Sequence, residues 1–136
     1  MSYAMAAALQ TAIFSALSSS SELAALVEDH IYDAAPNGVL PPVYVRFGRE
    51  TASDASDGSG AGALHRFTVS VITTVPGFSF AKEAAGVISD ILHNADLPLS
   101  RGRLVAMRFE RANALRTDAG AKRQIDMRFR ARVQDD

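Results

Sequence analysis

The stretch KRQIDMRFRARV, Lys122–Val133, carries the clearest structural pattern in this chain, because its side chains alternate between apolar and polar. The apolar series consists of Ile125, Met127, Phe129, Ala131 and Val133, and the polar series of Gln124, Asp126, Arg128, Arg130 and Arg132. A period of two places the two series on opposite faces of a β-strand that is buried on one side. We therefore expect a sheet with its core on one face and a row of arginines on the other.

The preceding residues 103–115 predict a partner strand for this stretch. Its pattern places Val105, Met107 and Phe109 inward, with Arg108 and Glu110 outward. The link TDAG, residues 117–120, contains the Asp and Gly that favour a tight hairpin turn. On the outer face, Asp126 and Glu110 are expected to pair with arginines of neighbouring strands.

Towards the N-terminus the pattern changes to helical spacing and then back to alternation. Apolar residues recur every three or four positions in 4–17, which predicts a helix, and Ser21 is expected to cap a second, shorter one. Strands are predicted at 43–48 and 65–75, followed by a long helix capped by Ser79. The fold class is therefore α+β, a mostly antiparallel four-stranded sheet with helices packed on one face.

One segment has a composition that argues against regular structure. Residues 50–63 are rich in Ser, Gly, Ala and Asp and contain no large apolar side chain, so we expect a flexible loop there. No linker or internal repeat interrupts the remainder. The chain, residues 1–136, is expected to form a single domain.

Composition excludes several classes of protein. The chain has no cysteine, which rules out disulfides, thiolate metal sites and a cysteine nucleophile. No apolar run approaches the roughly 20 residues of a membrane span, and the N-terminus lacks the basic start of a secretory signal, so we expect a cytoplasmic protein. Residues 1–100 carry four basic and ten acidic side chains, whereas residues 101–136 carry ten basic and five acidic ones.

The basic C-terminal part leaves four interpretations open. The arginines Arg108, Arg128, Arg130 and Arg132 can form a solvated face, a subunit interface, a nucleic-acid-binding face, or a membrane-surface segment. The aromatic residues that usually assist single-strand binding are missing between them, because Phe129 is expected to point inward. We take the four arginines as candidate interface residues.

Catalytic chemistry has no candidate in this sequence. His30, His65 and His93 are widely separated and match no metal-ligand spacing. The glycines near Gly60 have the wrong spacing for a phosphate-binding loop, and Asp54 and Asp57 do not match a calcium loop. We predict a protein that is not an enzyme and that needs neither a metal nor another cofactor.

The layout as a whole resembles a known family. The segments that carry the resemblance are LAALVEDHIYDAAPNGVLPPVYV (23–45), RETASD (49–54), HRFTVSVITTVPGFSFAKEAAGVISDILHNADLPL (65–99) and RLVAMRFERANALRTDAGAKRQIDMRFRARV (103–133). Together they are similar to the small tail-completion, or tail terminator, proteins of long-tailed bacteriophages and of the gene transfer agents of α-proteobacteria. These motifs determine packing and turns, so they point to a family and not to a reaction.

The resemblance implies a structural role. Such a protein is expected to assemble in the bacterial cytoplasm into a ring, with six copies expected, that caps the tail tube and joins it to the neck. Its partners would be further copies of itself, the tail tube protein and the neck or connector proteins, with DNA passing through the lumen without sequence-specific binding. Two alternatives stay open: a connector or stopper protein of the neck, and a small nucleic-acid-binding protein that uses the basic hairpin.

Overall fold

The computed structural model describes residues 3–58 and 60–135 of the chain. The elements follow in the order α1 (Ala6–Ser18), α2 (Ser21–Val27), β1 (Ile31–Tyr32), β2 (Val43–Asp54), β3 (Ala61–Thr73), α3 (Ser79–Leu92), β4 (Arg103–Thr117) and β5 (Lys122–Asp135). A short 3-10 turn, Asp118–Gly120, joins the last two strands. The α+β class is confirmed.

The sheet differs from the predicted four-stranded antiparallel one. It has five strands in the order β1-β2-β3-β5-β4, and β1 runs parallel to β2, so the sheet is mixed. The remaining neighbours are antiparallel. β1 pairs through Ile31 and Tyr32 alone, and two residues are too few to show an alternating pattern in a sequence.

The three helices pack on one face of the sheet because the central strands β3 and β5 place most of their large apolar side chains there. In β5, Phe129, Ala131 and Val133 are completely buried, as the alternation predicted. The rings of Phe67 and Phe109 pack on Phe129, with centroids 5.6 and 5.7 Å away. Helix α3 contributes Ala81, Ala84, Ile88 and Leu92 to the same core.

Two helix starts differ from the predicted caps. The side chain of Ser20, and not that of Ser21, accepts a hydrogen bond from the Leu23 N–H at 3.1 Å. Ser79 is the first residue of α3, whose N-cap is Phe78 without a side-chain hydrogen bond. The cap shifts by one residue because the turn after α1 ends at Ser19, which leaves Ser20 in extended conformation.

The segment 50–63 is more ordered than its composition predicted. Residues Glu50–Asp54 continue β2, and Ala61 begins β3, so the connection is confined to residues 55–60. The Ala55 N–H donates to the Gly62 carbonyl at 2.9 Å, and the Ser56 hydroxyl donates to Asp54 at 2.6 Å. Backbone pairing across a hairpin does not require large side chains, which is why composition predicted too long a loop.

Strand β4 contains two bulges that the sequence did not reveal. The register shifts between Leu104 and Ala106 and again between Phe109 and Arg111. As a result, Val105 lies in the first bulge and is 44% exposed, so its predicted inward position was wrong. Met107 is buried as predicted, whereas Phe109 is 36% exposed although its ring packs on Phe129.

Candidate interaction surface

The strand register brings arginines from three strands onto the face of the sheet opposite the helices. Arg66 of β3 pairs with Arg130 of β5, which pairs with Arg108 of β4. In the next row, Arg128 of β5 pairs with Arg111 of β4. We call the set Arg66, Arg108, Arg111, Arg128, Arg130 and Arg132 the arginine face.

The four arginines chosen from the sequence, Arg108, Arg128, Arg130 and Arg132, all lie on this face. Sequence reasoning missed two further members. Arg66 alternates with buried residues in β3, and this pattern predicts an outward side chain. Its position beside β5, however, depends on a pairing between distant parts of the chain. Arg111 was hidden because the bulge before it reverses the parity of β4.

The arginine face is open because the helices cover only the other side of the sheet. Arg108, Arg111, Arg130 and Arg132 are exposed, and Arg66 and Arg128 are partly exposed. At the opposite end of the sheet the same side is closed, since Tyr44, Ser70 and Ile72 are buried there. The segment 38–42 lies beside Tyr44 and Ile72. On β2 and β3, the uncovered area is therefore limited to the half of the sheet that carries the arginines.

Two shallow depressions indent the arginine face. One is lined by Leu64, Ala106, Arg108, Arg130 and Arg132, together with Ala55. The other is lined by Thr68, Arg111, Asn113, Asp126 and Arg128. Both present guanidinium groups around a small apolar or polar floor, an arrangement that suits carboxylate side chains of another protein.

Intramolecular carboxylates neutralise only part of this charge. Glu110 reaches Arg66, with Oε1 3.4 Å from Nε. Asp57 lies 3.9 Å from Arg132, which also donates to the Ala55 carbonyl. In the part of the chain that the structure describes, no carboxylate lies within ion-pair distance of Arg128 or Arg130.

The predicted cross-strand ion pairs are thus half right. Glu110 pairs with an arginine, but Asp126 does not. Instead, Asp126 Oδ1 accepts hydrogen bonds from Ser70 Oγ at 2.6 Å and from Gln124 Nε2 at 2.8 Å. Arg108 donates to the Asn94 side-chain oxygen at the edge of the sheet. Like charges directly opposite each other destabilise a sheet, so the row of Arg66, Arg130 and Arg108 gains from an external anion.

Two of the histidines, His65 and His93, form hydrogen bonds within the fold. His65 is fully buried on the helix side, where Nδ1 lies 2.8 Å from Glu50 Oε1. His93 Nδ1 accepts a hydrogen bond from the Phe109 N–H at 3.0 Å. Among residues 3–58 and 60–135, no three His, Asp or Glu side chains form a group that could hold a metal ion. Within the same ranges, no helix is long and apolar enough to span a membrane.

Comparison with known proteins identifies a family and a similar solved structure. Residues 11–134 match the family described as tail completion protein gp17. A chain in the solved virion of a native gene transfer agent (GTA) particle is 53% identical, over 98% of this chain and 99% of that one, with a TM-score of 0.92. No protein of curated function matches this chain.

Proposed function

Because this chain belongs to the tail completion protein gp17 family, we propose that it is the subunit of a ring that ends the tail tube of a phage-like particle and joins it to the neck. The family makes it a structural tail protein. Similarity at 53% identity to a chain of a gene transfer agent virion supports a place in a particle of that kind. The expected ring has six copies, and its lumen surrounds the path of the DNA.

The observation that carries this proposal is the open arginine face. A domain whose helices cover one side of its sheet leaves the other side to water or to a partner. Here that side carries six arginines, of which Arg128 and Arg130 have no carboxylate partner among the described residues. Arginine binds carboxylates through a planar fork of two donors, so an acidic protein surface is a fitting partner.

This geometry supports the choice of four arginines as interface residues. Arg108, Arg128, Arg130 and Arg132 contact acidic groups of the tail tube protein or of the neighbouring subunit. Arg108 is already held by Asn94, which orders its guanidinium before binding. A ring requires heterologous contacts, in which one surface meets a different surface on the next copy.

The first experiment is light scattering after size-exclusion chromatography, at low and at high salt, with and without purified tail tube protein. We expect a ring, or a monomer that becomes a ring on tube ends, and weaker assembly at high salt. A chain that stays monomeric, ignores the tubes and instead shifts with duplex DNA would overturn the proposal in favour of nucleic-acid binding.

A matched pair of charge reversals tests the face itself. Arg130→Glu reverses one charge on the arginine face, whereas Lys82→Glu makes the same change on exposed α3, on the opposite side of the sheet. We expect Arg130→Glu to weaken binding to tubes at least tenfold and Lys82→Glu to leave it within about twofold. Equal binding by the two folded variants would remove the arginine face from the interface.

A further inference from the structure

The outer edge of β4 is protected along only half of its length. At Met107 the carbonyl accepts the Asn94 N–H at 2.8 Å, and at Phe109 the N–H donates to His93 Nδ1 at 3.0 Å. The residues after α3 therefore cover the edge at 107–109, and two bulges interrupt the same stretch. Covered, bulged edges are how monomeric sheets avoid pairing with other chains.

The second half of β4 has none of these protections. Residues 110–116 are all exposed, and the register from Arg111 to Thr117 is regular, without a bulge or a proline. For the described residues, the backbone of Arg111–Arg116 forms no hydrogen bond other than the β-ladder with β5. An uncovered regular edge of this length is a template for contact with another chain.

The opposite edge of the same sheet is the short strand β1. Acidic residues flank it: Glu28 and Asp29 precede it, with side chains 77% and 98% exposed, and exposed Asp33 follows it. The open half of β4, in contrast, has only the basic Arg111 and Arg116 as charged side chains between Arg111 and Thr117. The two edges of the sheet therefore carry opposite charge.

The two edges also lie at the same level along the strands. One row runs across the sheet from Tyr32 through Arg46, Ser70 and Asp126 to Asn113. The strand β1 runs parallel to β2, and β4 runs in the opposite direction. A second copy placed beside the first in the same orientation thus sets its β1 antiparallel to the first copy's β4, with Asn113 close to Tyr32.

We propose that successive copies join through these edges: the open half of β4 in one copy lies against β1 and its acidic flanks in the next. This inference rests on the ring of the proposed function and specifies its subunit contact. Since the Ile31 N–H is already donated to the Asp29 carbonyl, ion pairs of Arg111 and Arg116 carry the contact more than a long β-ladder does. The other five residues of the arginine face then remain available for the tail tube.

The partner of the β4 edge is a second copy of this chain, because one chain carries both of the complementary edges. The two edges of its sheet, β1 and β4, lie at the same height along the strands. They run in opposite directions and carry opposite charge. A contact between unlike surfaces of identical subunits is also what a closed ring requires.

Cross-linking tests the contact directly, since the chain has no cysteine of its own. Ala112 lies one row beyond Asn113, and Asp33 lies one residue beyond Tyr32 in the same direction. On oxidation of assembled rings, Ala112→Cys with Asp33→Cys should give a ladder of covalent oligomers, because a disulfide needs Cα atoms about 4.4–6.8 Å apart. The control, Ala112→Cys with exposed Thr51→Cys, should give at most dimers.

Charge exchange gives a second, independent readout. Arg111→Glu with Arg116→Glu should reduce ring formation at least tenfold, and adding Asp29→Arg and Asp33→Arg to the same chain should restore it. Rings that form normally in the first variant, or that yield no ladder with the cysteine pair, would overturn the edge contact while leaving the ring intact. A wild-type chain that never assembles would overturn the ring and this contact with it.

Discussion

His65 and Glu50 are joined by a hydrogen bond in which Nδ1 lies 2.8 Å from Oε1, on the side of the sheet that faces the helices. His65 is completely buried, and the Glu50 side chain is 24% exposed. The carboxylate can only accept, so Nδ1 carries the proton in this pair. The ring of Tyr3 stacks over the imidazole, with centroids 6.0 Å apart.

Removing the carboxylate is expected to destabilise the fold. Glu50→Ala leaves the buried Nδ1–H without its acceptor, which costs about 1–3 kcal/mol of unfolding free energy. Glu50→Gln retains an acceptor oxygen and should cost less. Urea unfolding of both variants measures the difference, and Glu83→Ala on exposed α3 serves as the control. An unfolding free energy for Glu50→Ala equal to that of the control would show that water replaces the carboxylate.

The aromatic cluster gives a graded prediction. Phe129 is fully buried, and Phe109, which packs on it, is 36% exposed. Phe129→Ala should cost about 3–5 kcal/mol, because it leaves a cavity between two rings. Phe109→Ala should cost clearly less, since part of its ring is already in water. Thermal or urea unfolding gives both values, and the reverse order would contradict the packing described here.

Substitutions at two glycines with positive φ distinguish the cost of backbone strain from the cost of steric overlap. Gly77 has φ +76° and open space around its Cα, so Gly77→Ala should cost only the left-handed conformation, about 1–2 kcal/mol. Gly102 has φ +65°, and a Cβ there would overlap the Gln134 carbonyl oxygen and the Met5 sulfur. Gly102→Ala should therefore be the more damaging change. Equal midpoints of urea unfolding for the two variants would mean that β5 shifts to accommodate the added methyl group at residue 102 without a loss of stability.

The ion pair of Arg101 and Asp135 predicts a pH dependence. The Arg101 guanidinium donates two hydrogen bonds to Asp135, at 3.1 and 2.8 Å, and thereby lowers the pKa of that carboxyl below its ordinary 3.8. A pKa that is lower in the folded state means that the pair stabilises the fold above about pH 4 and loses this effect as the pH falls through the lowered pKa.

Arg101→Ala should raise the pKa of Asp135 towards 3.8, as followed by NMR titration of the carboxyl group. The pKa of Asp54, which hydrogen bonds from Ser56 lower, should stay unchanged in the same variant and serves as the internal control. If the pKa of Asp135 does not move, the ion pair does not form in solution.

Local patterns in the sequence predicted most elements of this fold. The alternation in 122–133 correctly separated buried Met127 and Phe129 from the exposed or partly exposed arginines, because a strand with one buried face enforces that period. The turn at residues 118–120 was also predicted from local residues. Glycine adopts a positive φ readily, and Gly120 has φ +88°. The helical spacing in 4–17 likewise marked the buried stripe of α1.

What the sequence did not reveal depends on pairing between distant residues. No local signal indicates that β5 lies between β3 and β4, and this order is what places Arg66 beside Arg130. The bulge after Phe109 reverses parity between two adjacent charged residues, Glu110 and Arg111, so the position of Arg111 could be learned only from the register. The extended hairpin at residues 50–63 likewise depends on backbone pairing that its side chains do not encode.

The strand order has a consequence for how the chain is made. Strand β5, which follows the other four strands along the chain, is not at an edge but between β3 and β4, and its side chains Phe129, Ala131 and Val133 complete the core. Until β5 has been translated, β3 lacks a neighbour on one side and β4 has no partner at all. A nascent or interrupted chain therefore exposes unpaired strands to proteases and chaperones. This strand order therefore prevents incomplete chains from assembling, because only a chain translated through β5 can form the complete sheet and its surface.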